Sequence, residues 1–126
     1  MTHITETIAQ LNARLAAGEI TREALVTEAI DGAAQQNAAH VFTRLYPDAA
    51  LAAARYADAA AAAGVVQHPL AGLPVSIKDL YNVAGETTMA GSVVCRGEPA
   101  QSADAPAVAR LRTAGAAILG KTNMTE

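Results

Sequence analysis

Lys78 is the residue whose neighbours best suit it to chemistry. It stands near the end of Gly72-Leu73-Pro74-Val75-Ser76-Ile77-Lys78-Asp79, a mostly apolar stretch. Desolvation disfavours an ammonium ion, so burial among aliphatic groups can hold an amine in the neutral form that a general base requires. The competing reading is a lysine at a strand end with its stem on the sheet and its head in water. Side chains alternate along a strand. Lys78 is therefore expected to share a face with Ser76 and Leu80, while Ile77 and Asp79 point the other way. A Ser76–Lys78 hydrogen bond fits that geometry, but a dyad on one strand lacks the donors that an oxyanion needs. Asp79, on the opposite face, is not by position the ion-pair partner of Lys78.

A second pattern competes. Gly115-Ala116-Ala117-Ile118-Leu119-Gly120-Lys121-Thr122 fits the phosphate-loop expression G-x-x-x-x-G-K-[ST]. Its context does not fit. Such a loop follows a strand and opens a helix, so that amides and the helix dipole meet the phosphate. Here the first glycine ends a helical pattern and the inner residues read as a strand. The rival this pattern represents is a small non-enzymatic α/β module that binds a nucleotide or a partner. A simpler role for Lys121 is a solvated charge, or an ion pair at the sheet's edge. Cys95 has only Arg96 beside it as an activator and reads as an ordinary thiol. His3, His40 and His68 lack ligand spacing, so no metal is expected.

The elements that must position Lys78 follow from periodicity. Ile8, Leu11 and Leu15 predict a first helix, with Thr5 as cap and Gly18 as stop. A second begins near Thr21, carries Val26, Ala29, Ile30 and Ala33 on one face, and ends at Asn37 and beyond. His40 to Tyr46 reads as a short strand. Pro47 and Asp48 open a third helix that runs through alanines, the best helix formers, to Gly64. Pro74 to Leu80 is a strand, and Tyr81 to Gln101 a long glycine-bearing loop of the kind that is usually functional. Asp104 or Ser102 caps a fourth helix with Val108, Leu111 and Ala114 on one face. Gly115 stops it, and Ala116 to Leu119 is a short buried strand. Strands alternating with helices predict an α/β fold, a largely parallel mixed sheet flanked by helices. Residues 1–126 read as a single partial domain, with leading helices over 1–36 and the start of the α/β core over 41–126.

Composition narrows the classes. The chain is 52% hydrophobic, too apolar for a disordered tail. Alanine supplies about a quarter of it, so the core is built from small side chains that each bury little area. A net charge of −3 with no basic cluster argues against nucleic acid as a partner. One cysteine cannot form an internal disulfide, which suits a reducing cytoplasm. No apolar run approaches the roughly 18 residues of a membrane helix. The N-terminus has no basic segment ahead of an apolar one, so no signal peptide is expected.

The chain resembles the amidase signature family. The resemblance is carried by Gly72-Leu73-Pro74-Val75-Ser76-Ile77-Lys78-Asp79, then Gly85-Glu86-Thr87-Thr88 and Gly91-Ser92. It continues through Asp104-Ala105, Val108, Leu111-Arg112 and Ala114-Gly115-Ala116 into Gly120-Lys121-Thr122-Asn123-Met124. It is close from Leu70 to Glu126 and looser over Thr5 to Gly64. It implies a Ser–cis-Ser–Lys triad that hydrolyses a small-molecule carboxamide through an acyl-enzyme, without a cofactor. Lys78 matches the base, and Gly91 and Ser92 fall in a loop bordering the substrate, although Ser92 also reads as a plain turn residue. Related members include amidotransferase subunits that move ammonia to a tRNA-linked acid, and nothing in these residues separates the two. The chain departs from the family in one respect. Its serines are Ser76, Ser92 and Ser102, and the Gly-Gly-Ser-Ser-Gly-Gly type run that bears the cis serine and the nucleophile is absent. The expectation is an N-terminal portion of an amidase, inactive by itself.

Overall fold

The computed structural model describes residues 5–35 and 40–124. Helix α1 (Ile8–Ala16) starts at Thr7 rather than at Thr5. The Thr7 hydroxyl accepts the Gln10 N–H at 3.2 Å, and the Gln10 side chain accepts the Thr7 N–H at 2.7 Å. This reciprocal capping box satisfies two donors that a helix start leaves open, and Thr5 lies too early to make it. Helix α2 (Arg22–Ala34) begins where its sequence predicts, and Thr21 caps it. The expected stop at Asn37 lies outside the described residues.

Helix α2 has a second cap that comes from far along the chain. Asp58, on helix α3 (Pro47–Ala62), accepts the N–H groups of Arg22 at 3.1 Å and Glu23 at 3.0 Å. A carboxylate is favoured there because the first N–H groups of a helix are unpaired and its N-terminal end is partially positive. Arg22 is itself buried, and its Nε donates to the Ala71 carbonyl at 2.8 Å. On α3, Ala50, Ala54 and Ala57 form the buried stripe. Their small size lets α3 lie close on α2 and on the sheet.

Among the described residues the sheet has three strands, β1 (Phe42–Leu45), β2 (Pro74–Lys78) and β3 (Ala117–Thr122), in the order β1-β3-β2. Strand β3 pairs parallel with β2 and antiparallel with β1, so the sheet is mixed. Strand β3 is central and covered on both sides, as strands with apolar residues on both faces are. Ala117 and Leu119 join Val26, Ala50 and Ala54 on one face. Ile118 joins Ile77, Val83 and Val108 of helix α4 (Pro106–Thr113) on the other. Gly120 is required where β1 crosses, because a methyl group there would run into the Arg44 carbonyl.

Three local expectations need correction. The 81–101 segment is not all loop, since Val93–Gly97 forms a short 3₁₀ turn. Strand β3 runs to Thr122 instead of stopping at Leu119, because Gly120 admits the close approach of β1. Neither Asp104 nor Ser102 caps α4, whose cap Ala105 makes no side-chain bond. Asp104 instead accepts the Ala84 N–H at 2.8 Å and the Arg112 Nε–H at 2.7 Å. The Ala84 N–H first, and then Arg112, hold its carboxyl below the ordinary range.

Two substitutions test this packing. Asp58→Ala removes both remote cap bonds and leaves Arg22 without its carboxylate. It is expected to lower stability by about 2 kcal/mol in urea unfolding. Tyr46 packs beside the second cluster with its hydroxyl buried and lacking a hydrogen-bond partner among the described residues. Burial, and then the charge of Glu86, push its pKa from 10.0 up to about 12. A raised value in the folded state means stability that is intact below pH 10 and is lost as the pH rises through about 12. Tyr46→Phe is expected to gain about 1 kcal/mol at neutral pH and to flatten that alkaline loss, read as thermal midpoint against pH.

Candidate active site

Burial alternates along the end of β2 as the strand geometry demands. Ser76, Lys78 and Leu80 are exposed, while Ile77 and Asp79 are buried. Lys78 therefore shares its face with Ser76 and not with Asp79. Lys78 is exposed, so the described residues do not bury it among aliphatic groups. The buried lysine is Lys121, 1% exposed and on the central strand. It is neither solvated nor at the sheet's edge.

Lys121 reaches Asp79 because the register slips. Val75 lies opposite Ile118, but Ile77 lies opposite Lys121, so β3 spends three residue steps where β2 spends two. A one-residue bulge moves every later side chain to the other face. Lys121 is thereby turned onto the face of Ile77 and Asp79. Its ammonium lies 2.8 Å from Asp79 Oδ1, an ion pair without hydrogen-bond alignment, and it has no aligned acceptor among the described residues. A second irregularity, between Phe42 and Arg44 on β1, frees Thr43. The Thr43 hydroxyl donates to Asp79 Oδ2 at 3.0 Å.

Asp79 also holds the loop beyond β2. Its Oδ1 accepts the Met89 N–H at 3.3 Å, and its carbonyl accepts the Ala90 N–H at 2.9 Å. The Ser92 N–H closes a turn onto the Met89 carbonyl at 2.9 Å. Both central residues have positive φ, +50° at Ala90 and +74° at Gly91, as type I′ turns require. At Gly91 a Cβ would also meet the Met124 carbonyl oxygen at 3.0 Å. Ser92 Oγ accepts the Val94 N–H at 3.3 Å and caps the 3₁₀ turn, which is the plain turn role its sequence allows. Gly91 and Ser92 line a cleft of about 560 Å³ together with Thr43, Asp79, Arg96 and Lys121, while Lys78 lies outside that lining.

The remaining candidates fall away. Gly120, Lys121 and Thr122 belong to β3, so no phosphate-binding loop forms there. Cys95 is a free thiol in the 3₁₀ turn. His68 accepts the Leu70 N–H through Nδ1, and His3 lies outside the described residues. Among the described residues no group of three His, Cys, Asp or Glu could hold a metal ion, and no helix is long and apolar enough to cross a membrane.

The turn supplies its own test. Alanine at φ +50° carries a steric penalty that glycine avoids. Ala90→Gly is expected to stabilise the chain by about 1 kcal/mol. Gly91→Ala is expected to destabilise it by at least as much, with both values read from denaturant midpoints.

Known proteins share this fold. The amidase family model matches residues 24–126. The chain is 41% identical over 124 residues to a glutamyl-tRNA(Gln) amidotransferase subunit from Acidothermus cellulolyticus, covering 98% of this chain and 24% of that protein. It is 42% identical over 114 residues to AtzE, a 1-carboxybiuret hydrolase subunit from a Pseudomonas species, covering 90% of this chain and 24% of the relative. Among solved structures, the native peptide amidase of Stenotrophomonas maltophilia superposes with a TM-score of 0.83 at 36% identity, over 97% of this chain and 25% of that one. The chain thus spans about a quarter of the length of the relatives it matches. With the family model matching from α2 through β3 and the loop between, this chain belongs to the amidase family.

Proposed function

We propose that these residues supply the lysine base of an enzyme that hydrolyses a small-molecule carboxamide through an acyl-enzyme. The observation that supports this most is the placement of Lys78. It leaves the last position of β2 on an exposed face, and its backbone is braced from below by Asp79. An amine so placed can be reached by groups that arrive from elsewhere in the sequence. In the reaction proposed, Lys78 Nζ accepts a proton from one serine, which in turn takes the proton of a second. The second serine attacks the amide carbonyl, the amine leaves with a proton returned through the same relay, and water releases the acid. Neither of those serines is assigned among Ser76, Ser92 and Ser102. By itself, therefore, the 126-residue chain is read as inactive.

Gly91 and Ser92 are proposed to border the substrate, with the constrained turn fixing their backbone. Residues 1–36 are proposed as leading helices and 41–126 as the first part of the catalytic α/β domain. A hydrolase and an ammonia-donating amidotransferase share the acyl-enzyme step, so the proposal covers the step and not the acceptor. The lone cysteine suits a cytoplasmic setting.

The test pairs two preparations. In an enzyme that carries residues 24–126 joined to a serine- and glycine-rich segment, Lys78→Ala is expected to lower kcat/KM for an amide by about a thousandfold, with the fold retained by circular dichroism. The 126-residue chain alone is expected to turn over neither amides nor esters. Amide turnover by the short chain that vanishes in Lys78→Ala would refute its inactivity. Full activity of the longer Lys78→Ala enzyme would refute the base.

A further inference from the structure

Only two of the nine cationic residues are lysines, Lys78 and Lys121, and they lie on adjacent strands one register step apart. Surface ion pairs in this chain use arginine, as in Arg14–Glu6, Arg55–Glu23 and Arg112–Asp104. Arg22, itself buried, pairs with the half-buried Asp58, whereas the pair with both partners buried uses the compact ammonium of Lys121. Burying two charges carries a desolvation cost, and the Lys121 ammonium has no aligned hydrogen bond among the described residues to offset it. A bulge in the β2–β3 register turns Lys121 onto Asp79, and an irregularity in β1 leaves Thr43 facing the same carboxylate. Bulges that re-aim side chains cluster beside functional sites.

We propose that Asp79, neutralised by Lys121, is a positioning residue that fixes the direction in which Lys78 leaves the sheet. This rests on the reading of Lys78 as the base. The carboxylate ties β1 through Thr43, β3 through Lys121, and the 89–92 turn through Met89, while the main chain of Asp79 bonds to Thr122 and Ala90. Immediately before it, the Lys78 carbonyl accepts the N–H groups of Leu80 at 2.7 Å and Tyr81 at 3.0 Å. The Lys78–Asp79 and Asp79–Leu80 peptide units are thereby held. Three separate segments must move before the Lys78 backbone can turn.

Because the chain has two lysines, lysine-selective ¹³C/¹⁵N labelling gives two assignable side chains, and acetylation by an N-hydroxysuccinimide ester can be followed at each. In the parent, Lys78 is expected to react readily and Lys121 to be protected. Asp79→Asn alone leaves an unpaired buried ammonium and is expected to lower the thermal midpoint and expose Lys121. The double variant Asp79→Asn/Lys121→Met removes both charges, and such replacements are often neutral for stability. It is expected to regain the midpoint while the Lys78 side-chain resonances stay shifted and its acetylation rate stays changed by about threefold. A merely structural pair would return Lys78 to parent behaviour together with the midpoint, and that outcome overturns the proposal. If the double variant does not fold, Thr43→Val deletes one tie and no charge. A shifted Lys78 signal there supports positioning, and an unshifted one overturns it. These readouts report geometry alone, so they stand or fall independently of whether Lys78→Ala abolishes amide turnover.

Discussion

Two opposite charges buried side by side, Asp79 and Lys121, are the constraint on which this region turns. The pair closes the far ends of β2 and β3, recruits β1 through Thr43 and anchors the 89–92 turn. Removing one partner alone strands a charge in the interior, which is far more costly than removing both. The pair therefore specifies an arrangement more than it adds stability. It compels the register bulge, because without the extra residue in β3 the Lys121 side chain would face α2 and α3 and not Asp79. Gly120 then follows, since the backbone that carries Lys121 runs directly beneath the Arg44 carbonyl.

The packing around this node is built from small parts. Alanines on α3 and β3 bury little area each, so helices and sheet must lie close and caps matter. Asp58 bonding the start of α2 from thirty-odd residues away shows how this works. The same carboxylate satisfies orphan donors, faces the helix dipole and pairs with a buried arginine. The second face of the sheet is held by Ile77, Ile118, Val83 and Val108. There a buried tyrosine hydroxyl is left without a partner among the described residues.

Much of this was legible in the sequence, and the rest was hidden for physical reasons. Four helices, three strands and the alternation that puts Lys78 opposite Asp79 follow from periods of 3.6 and 2. The family resemblance follows from several motifs in order. The caps were less legible. The Thr7-x-x-Gln10 box was present in the letters and outranks Thr5, but the Asp58 cap depends on tertiary contact that no local window contains. The Asp79–Lys121 pair was missed because a strict alternation hides a bulge. The signal that could have found it is the one that singled out Lys78. An ammonium in an apolar strand needs a reason, and Lys121, after Ala116-Ala117-Ile118-Leu119, is the more deeply apolar of the two.

Lys78 is proposed to be held so that its amine serves a serine supplied from elsewhere in the enzyme. The most direct measurement is a crystal structure of an enzyme carrying residues 24–126 with its serine-bearing segment, trapped as an acyl-enzyme. The account predicts Lys78 Nζ within about 3 Å of a serine oxygen, on the face opposite Asp79, with the Asp79–Lys121 pair intact beneath. Lys78 directed into bulk water, with another group on that serine, would contradict it.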